Sequence, residues 1–263
     1  WDARIGRWLT TDPKKEFASP YLGMANNPIS KIDPDGGRTQ NPIYDTNGNF
    51  RGVDEFGLQG EAIVYDGAFT NGMSQSEILN NGGSYLDNWI NSDNFNARAF
   101  INIYLHHSEL SNRPDWDGIV TIQEGIDWAK ANVGARNNPT PDNSLYIHAN
   151  SIDYGDITIN DLPLNEVTPV NFFSSKNTVN SLGSVRLRQS VYALGRVNLI
   201  RVHGTSVKIV NDEATDYDWN TGGSLKRKIA INLERIRSGL DDQHGFKAYY
   251  YGTGNLNLNL FGK

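Results

Sequence analysis

The densest group of chemically useful side chains lies in the C-terminal third of the chain. It comprises four carboxylates, a tyrosine and an arginine: Asp212, Glu213, Asp216, Tyr217, Asp218 and Arg227. Carboxylates can hold Mg²⁺ or act as general bases, and arginine can stabilise negative charge that develops on a phosphate. This combination therefore predicts phosphoester cleavage. The alternative is structural, with acidic residues at the end of a hairpin and an aspartate that caps the next helix.

Histidines supply the other acid–base candidates: His106, His107, His148, His203 and His244. No H-x-x-x-H or H-E-x-x-H pattern occurs, and His106 and His107 are adjacent and do not share a helix face, so a helix-borne zinc site is not predicted. His244 follows Asp241-Asp242 and is a further candidate for acid–base catalysis. Its alternative interpretation is a turn into the last strand. The sequence leaves any metal requirement open, with Mg²⁺ compatible with the carboxylates.

These residues must be positioned by a C-terminal half that is mainly β. Segments 192–202 and 207–210 flank His203-Gly204-Thr205 and predict a hairpin. Residues 170–173 predict another strand, and 246–251, closed by Gly252, predict the final one. Between them, four apolar residues at helical spacing predict an amphipathic helix that ends at Gly239: Leu225, Ile229, Leu233 and Ile236.

The N-terminal half mixes helices, loops and short strands. Ser74-x-x-Glu77 and Thr121-x-x-Glu124 are capping boxes that predict two helix starts. The first helix is expected to bury Ile78, Leu79 and Leu86, and the second to present Ile122, Ile126, Ala129 and Val133 on one face. Residues 99–105 fit a helix or a strand, whereas 62–65 and 145–147 predict short buried strands. The Asn-Gly pair in the segment 45–50 predicts a hairpin turn rather than a calcium loop.

Composition narrows the chemistry further. The chain has 263 residues, no cysteine and a net charge of −6. The absence of cysteine excludes disulfides, thiol catalysis and cysteine-ligated metals. No nucleotide-binding P-loop and no G-x-S-x-G serine motif occurs. The acidic balance disfavours a broad phosphate-binding surface and hence nucleic acid as a partner, and no apolar run is long enough to span a membrane.

The first 37 residues carry a family resemblance. The strings D-A-R-I-G-R-W-L, D-P, N-N-P-I and I-D-P-D-G resemble the end of the Rhs repeat-associated core of Rhs (YD-repeat) polymorphic toxins, in a form similar to Bacteroidota versions. The resemblance implies that residues 1–37 close a β-shell from the same polypeptide and that residues 38–263 are the variable effector. We therefore expect a C-terminal piece of a longer protein, with one α+β effector domain whose C-terminal half is mainly antiparallel sheet. The first 37 residues hold five basic and five acidic residues, so the net negative charge belongs to the effector.

The same resemblance implies an aspartyl autoprotease, because in many relatives two D-P-x-G elements free the toxin. Asp12 and Asp33 occupy the two aspartate positions. Paired carboxylates can activate water, since one of two neighbouring acids retains its proton. Lys15 stands where the first glycine is expected, and Gly37 stands where leucine usually precedes the cut. The alternative is that both aspartates only shape turns.

A shorter segment is similar to the active segment of colicin M-type bacteriocins, which hydrolyse the peptidoglycan precursor lipid II. Tyr217 and Asp218 match the Tyr-Asp of that motif. Thr215 stands where its first aspartate lies, its histidine is missing, and Arg227 comes two residues late.

Two classes of function follow. The first is a toxic enzyme for competition between bacteria, secreted or delivered into a target cell and neutralised in the producer by an immunity protein. Within it, hydrolysis of an envelope phosphoester comes before nuclease action. The second is a binding tip without catalysis, displayed on an Rhs shell.

Overall fold

A computed structural model describes residues 41–172, 196–210, 215–217 and 237–256, with 215–217 as backbone. The chain divides into two compact units, Trp1–Asp117 and Gly118–Lys263, called here the first and the second unit. Helices and sheets occur in both, so the fold class is α+β as predicted. The expected boundary between residues 37 and 38 lies outside the described residues and stays a prediction.

The described part of the first unit is a four-stranded sheet with helices packed around it. The strands are β1 (Pro42–Tyr44), β2 (Phe50–Val53), β3 (Ile63–Val64) and β4 (Ser84–Tyr85), and the helices are α1 (Gln75–Asn80), α2 (Leu86–Trp89) and α3 (Ala97–Glu109). The strand order is β2-β1-β3-β4. The pair β1–β3 is parallel and the other two pairs are antiparallel.

The predicted Asn-Gly hairpin joins β1 to β2. Gly48 has φ +88°, a backbone conformation that glycine adopts without a steric penalty. The Asp45 carboxylate accepts hydrogen bonds from the backbone N–H groups of Asn47 and Asn49, at 2.9 and 2.8 Å. This carboxylate therefore closes the turn, as the hairpin interpretation requires. The predicted strand at 62–65 is also confirmed, by the buried pair Ile63–Val64.

Helix α1 starts where its capping sequence predicts, but it ends at Asn80, before the predicted position of Leu86. The Ser74 side chain accepts from the backbone N–H of Glu77, and Ile78 is fully buried. The prediction that Leu86 continues this helix is wrong, because the chain turns after Asn80 and Gly82 has φ +96°. Leu86 begins α2 instead. The ambiguous segment 99–105 is helical, within α3, which buries Ala99 and Ile103.

A buried carboxyl group, that of Asp54, comes directly after β2 in the chain. Asp54 is fully buried, and its Oδ1 accepts hydrogen bonds from the backbone N–H groups of Phe56, Gly57 and Asn41 at 2.8, 3.1 and 3.3 Å. Its Oδ2 has no hydrogen-bond partner among the described residues. Burial raises the pKa of Asp54 well above its ordinary value of 3.8, although the three backbone donors pull it the other way. Folding therefore favours the neutral form of Asp54 relative to an exposed aspartate.

Replacing Asp54 by Asn should flatten the pH dependence of stability. The pKa of Asp54 is higher in the folded protein than in the unfolded chain, where it is about 3.8. The carboxyl therefore stabilises the fold fully at a pH below 3.8, and this contribution is lost as the pH rises toward the folded-state pKa. The amide retains the accepting oxygen and cannot ionise. We expect the unfolding free energy of Asp54→Asn, from urea titrations between pH 4 and pH 8, to fall less with rising pH than that of the wild type. The control Asp93→Asn, at an exposed position, should follow the wild type. An unchanged slope in Asp54→Asn would contradict the assignment.

The described part of the second unit contains one complete α-helix, a short 3-10 helix (Ala149–Ser151), the last residues of a further helix (237–238) and two sheets. Its elements are α4 (Ile122–Ala131), β5 (Leu145–His148), β6 (Val167–Asn171), β7 (Arg196–His203), β8 (Ser206–Ile209), β9 (Thr215–Tyr217), β10 (Phe246–Tyr251) and β11 (Gly254–Asn255). One sheet has the order β5-β10-β9 and the other β11-β8-β7-β6. All pairs are antiparallel except β10–β5, so the expected mainly antiparallel character is confirmed.

The strand predictions for this unit hold with shifted ends. The hairpin β7–β8 turns at Gly204, which has φ +48°. Strand β10 spans the predicted residues and is closed by Gly252, with φ +69°, but β11 follows it, so it is not the last strand. Strand β6 starts three residues before its predicted position and leaves Phe172, fully buried, just beyond its end. The helix predicted over 225–236 lies outside the described residues.

Helix α4 has the complete capping box that its sequence predicts. The Thr121 side chain accepts from the Glu124 backbone N–H, and the Glu124 carboxylate accepts from the Thr121 backbone N–H at 2.8 Å. Ile126 and Ala129 are buried as expected. The placement of Val133 on this face is wrong: the helix ends at Ala131, and Val133 is 55% exposed.

Removing the cap should destabilise the protein measurably. Thr121→Ala deletes the acceptor for one otherwise unpaired N–H group at the helix start and is expected to lower the unfolding free energy by about 1 kcal/mol in chemical denaturation. Thr121→Ser retains the hydroxyl and should stay near the wild type. Equal destabilisation in both variants would instead locate the effect in the lost methyl group.

Candidate functional site

The pairing of β9 with β10 brings two separately predicted candidates to one end of a sheet. Tyr217 pairs with Phe246, Asp216 with Lys247, and Thr215 with Ala248. His244 stands two residues before Phe246, in the loop that enters β10. The C-terminal end of β9 and the loop that contains His244 therefore lie at the same end of this sheet. More than 25 residues separate these segments in the sequence, and only the strand register places them together.

The loop before β10 holds His244 against a carboxylate. His244 Nδ1 lies 2.7 Å from Asp241 Oδ1. The same Oδ1 accepts a hydrogen bond from the Gln243 backbone N–H at 2.9 Å, and the His244 backbone N–H donates to the Asp241 carbonyl at 3.1 Å. These bonds make a tight turn, as the structural interpretation of His244 predicts. They also place a carboxylate against the imidazole, as acid–base catalysis would need, and the catalytic interpretation stays a prediction.

The proton on this imidazole can be assigned from the chemistry of its neighbours. Nδ1 faces both the Asp241 carboxylate at 2.7 Å and the Asp241 backbone N–H at 3.1 Å. The Asp241 side chain is 55% exposed, so solvent supports its ionised form. A lone pair on Nδ1 would repel that carboxylate, whereas an Nδ1–H group donates to it in the shorter of the two contacts. Although the Asp241 backbone N–H is also aimed at Nδ1, we expect the shorter contact to prevail, with the proton of the neutral ring on Nδ1 and the lone pair on Nε2.

The turn is fastened to a second loop of the same unit. The backbone N–H of Gly134 donates to the Gln243 carbonyl, and that of Arg136 donates to the Gly245 carbonyl, both at 2.9 Å. These two bonds bracket His244 and fix its backbone. The His244 side chain remains 19% exposed, which is enough for contact with a ligand. Arg136, whose backbone N–H makes one of these bonds, and Lys247, three residues after His244, are both half-buried.

The structure describes the other predicted site residues only by their backbone or not at all. Asp216 and Tyr217 are placed by their register alone. The remaining candidates lie outside the described residues: Asp212, Glu213, Asp218, Arg227, and the proposed autoprotease pair Asp12 and Asp33. Their assignments stay predictions. Across the described ranges, no group of three or more histidine, aspartate or glutamate residues is arranged to hold a metal ion.

The remaining histidines have local roles. His106 Nδ1 lies 2.9 Å from the hydroxyl of Tyr44, while His107 donates from Nε2 to the carbonyl oxygen of Gly60 at 2.7 Å. Burial lowers the pKa of His107, which favours the neutral ring. The two adjacent rings thus contact different partners. His148 accepts from the Asn150 backbone N–H, and His203 is exposed at the β7–β8 turn.

Comparisons with known proteins leave the family undecided. No protein-family model matches the chain, and no solved structure matches it. A 36-residue stretch is 50% identical to salivary gland surface protein 1 of Aedes aegypti. That stretch is 14% of this chain and about 1% of the mosquito protein, so the chain spans a very small part of this relative.

Charge is divided unevenly between the two units. Residues 41–117 contain eleven acidic and three basic residues, a net charge of −8, whereas residues 118–263 contain fourteen acidic and fifteen basic residues, a net charge of +1. The acidic balance of the chain thus resides in the first unit and not in the unit that holds the candidate site. Within the described residues, no helix has the length and apolar character needed to cross a membrane.

The proton assignment of His244 is directly testable by NMR. In wild-type protein with ¹⁵N-labelled histidine, we expect the neutral His244 ring to show the Nδ1–H tautomer. Asp241→Ala removes the carboxylate and leaves the backbone N–H of residue 241 as the neighbour of Nδ1, which should move the proton to Nε2. Asp242→Asn removes the neighbouring exposed carboxylate and should leave the tautomer unchanged. An Nε2–H ring in the wild type would show that the backbone N–H of Asp241, rather than its carboxylate, sets the proton position.

Proposed function

We propose that this chain is the C-terminal effector region of an Rhs-family polymorphic toxin, and that its second unit is a hydrolase of an envelope phosphoester such as lipid II. The observation that carries the enzymatic proposal is the register of β9 and β10, which brings Asp216 and Tyr217 to the sheet end where the Asp241–His244 pair lies. The Rhs assignment rests on the motifs in residues 1–37.

The pair supplies the proton transfers that such a hydrolysis needs. His244 Nε2 accepts a proton from the attacking water as the water oxygen bonds to phosphorus. The imidazolium that forms is stabilised by the Asp241 carboxylate at Nδ1. The bond from phosphorus to the leaving oxygen breaks, and His244 returns the proton to that oxygen. A carboxylate such as Asp216 would be suited to holding Mg²⁺, which would neutralise charge on the phosphate oxygens.

A nuclease is the second candidate. The net charge of the whole chain disfavours nucleic-acid binding, whereas the local distribution of charge along the chain is compatible with it. Nucleic-acid binding needs local positive charge rather than a positive total. The stretch 173–237 contains eleven basic and five acidic residues, and β9 lies within it. Its phosphodiester substrate would require the same proton transfers at His244, so the two candidates differ in target and compartment.

Expression in two compartments separates the candidates. The full chain should be produced in a susceptible bacterium without a signal sequence and, separately, with a periplasmic one. An envelope hydrolase is expected to be toxic in the periplasm only, with toxicity abolished by His244→Gln and by Asp218→Ala. Toxicity confined to the cytoplasm would indicate the nuclease. Absence of toxicity in both compartments, with the protein present and folded, would indicate the non-enzymatic binding tip.

Two controls make the result specific. Asp242→Asn changes an exposed carboxylate next to the pair and should retain full toxicity. Asp241→Asn retains the oxygen that accepts from the Gln243 N–H and removes the negative charge that stabilises the imidazolium, so it should reduce toxicity strongly while the protein stays folded. Purified wild-type protein and the His244→Gln variant should then be compared for release of phosphate-bearing product from lipid II. Equal activity of the two would remove His244 from the mechanism.

A further inference from the structure

The first unit exposes several large apolar side chains within one short stretch of sequence. Five large apolar side chains between residues 90 and 105 are 39 to 63% exposed, and together they form what we call the α3 patch: Ile90, Phe95, Ile101, Tyr104 and Leu105. They are half of the large apolar side chains that are exposed across the described ranges. Single exposed apolar residues are ordinary, whereas a cluster of this kind marks an interaction surface.

Ring contacts hold the patch in shape. The ring centroids of Trp89 and Phe95 are 5.5 Å apart, those of Phe95 and Phe100 are 6.1 Å apart, and those of Phe100 and Tyr104 are 6.4 Å apart. Trp89 is 4% exposed and anchors this series in the unit. The aromatic residues therefore form a preorganised row, and little side-chain freedom would be lost on binding.

Helix α3 is apolar on both sides. Ala99 and Ile103 bury one side, and Ile101 and Leu105, one helical turn apart, line the opposite side. A helix that only covers a core has a polar outer face. The outer stripe of α3 is therefore suited to a second apolar partner.

The charge of the surroundings selects the partner. Residues 41–117 have a net charge of −8 and contain no lysine. The exposed acidic residues Asp87, Asp93 and Glu109 lie in or next to the segments that form the patch, against one exposed arginine, Arg98. A second copy of the unit would bring acidic groups together, and an anionic membrane or a nucleic acid would be repelled in the same way. A basic polypeptide would be attracted.

We infer that the α3 patch binds a partner polypeptide whose apolar stripe is flanked by lysine or arginine, as in a basic amphipathic helix. Ile101 and Leu105 provide the apolar contact, the aromatic row provides a rigid edge, and the acidic residues around them steer the basic flanks. This surface belongs to the first unit and is independent of the proposed hydrolase, so either assignment can fail without the other.

A pair of synthetic helices tests this assignment. A fluorescent Leu/Lys peptide of about four helical turns, with leucine on one face, should bind the full chain in anisotropy titrations, and its Leu/Glu counterpart should not. Leu105→Asp and Ile101→Asp should weaken binding of the Leu/Lys peptide by about tenfold or more, because each removes an apolar contact. Both substitutions also add negative charge, so simple electrostatic attraction predicts the opposite change.

Val133→Asp is the matched control, since Val133 is as exposed as Ile101, at 55%, and lies in the second unit. It should leave binding unchanged. Equal binding by wild type and Leu105→Asp, or equal binding of both peptides, would overturn the inference. Sedimentation of the wild type as a dimer that Leu105→Asp converts to a monomer would also overturn it, in favour of a second copy as the occupant.

Discussion

The register of β10 against β9 is the constraint on which the candidate site depends. Side chains alternate between the two faces of a strand, so a slip of one residue would move Phe246 and Ala248 out of the core. These two residues are 1% and 0% exposed, and they are the partners of Tyr217 and Thr215. Burial of apolar side chains therefore fixes the position of the polar residues. The position of the proposed acid–base residues therefore depends on a register that apolar residues determine.

Local signals predicted most elements of the fold because their causes are local. The capping box of α4 and the Asn-Gly turn between β1 and β2 each use bonds within a few residues, and both occur where the sequence places them. Errors arose where periodicity was extended past a stop signal, as when Leu86 and Val133 were assigned to helices that end before them. The parallel pairing of β5 with β10 leaves no local signal, since it joins residues that are far apart in the chain.

The candidate site was predictable in its parts and not in its assembly. The sequence identified Asp216, Tyr217 and His244 as separate groups, with Asp241 as a neighbour of His244. Their convergence follows from strand pairing, and the His244 tautomer follows from distances to one carboxylate and one backbone N–H group. The unit boundary after Asp117 was likewise unpredicted. It matters for the interpretation of the net charge, because the chain as a whole is acidic whereas the charges of its second unit nearly balance.

Strand β10 is the central strand of its sheet, with β5 on one side and β9 on the other. It pairs with β5 across a separation of about 100 residues, so neither neighbour has a place in this sheet until β10 has arrived. A chain that emerges N-terminus first, from a ribosome or through a pore, must therefore expose β5 and β9 before their common partner is available. The end of the sheet next to His244 would then be assembled in one late step. Any interaction that withheld residues 246–251 would leave β5 and β9 without their common partner, and the proposed site would stay unassembled although nothing contacts it.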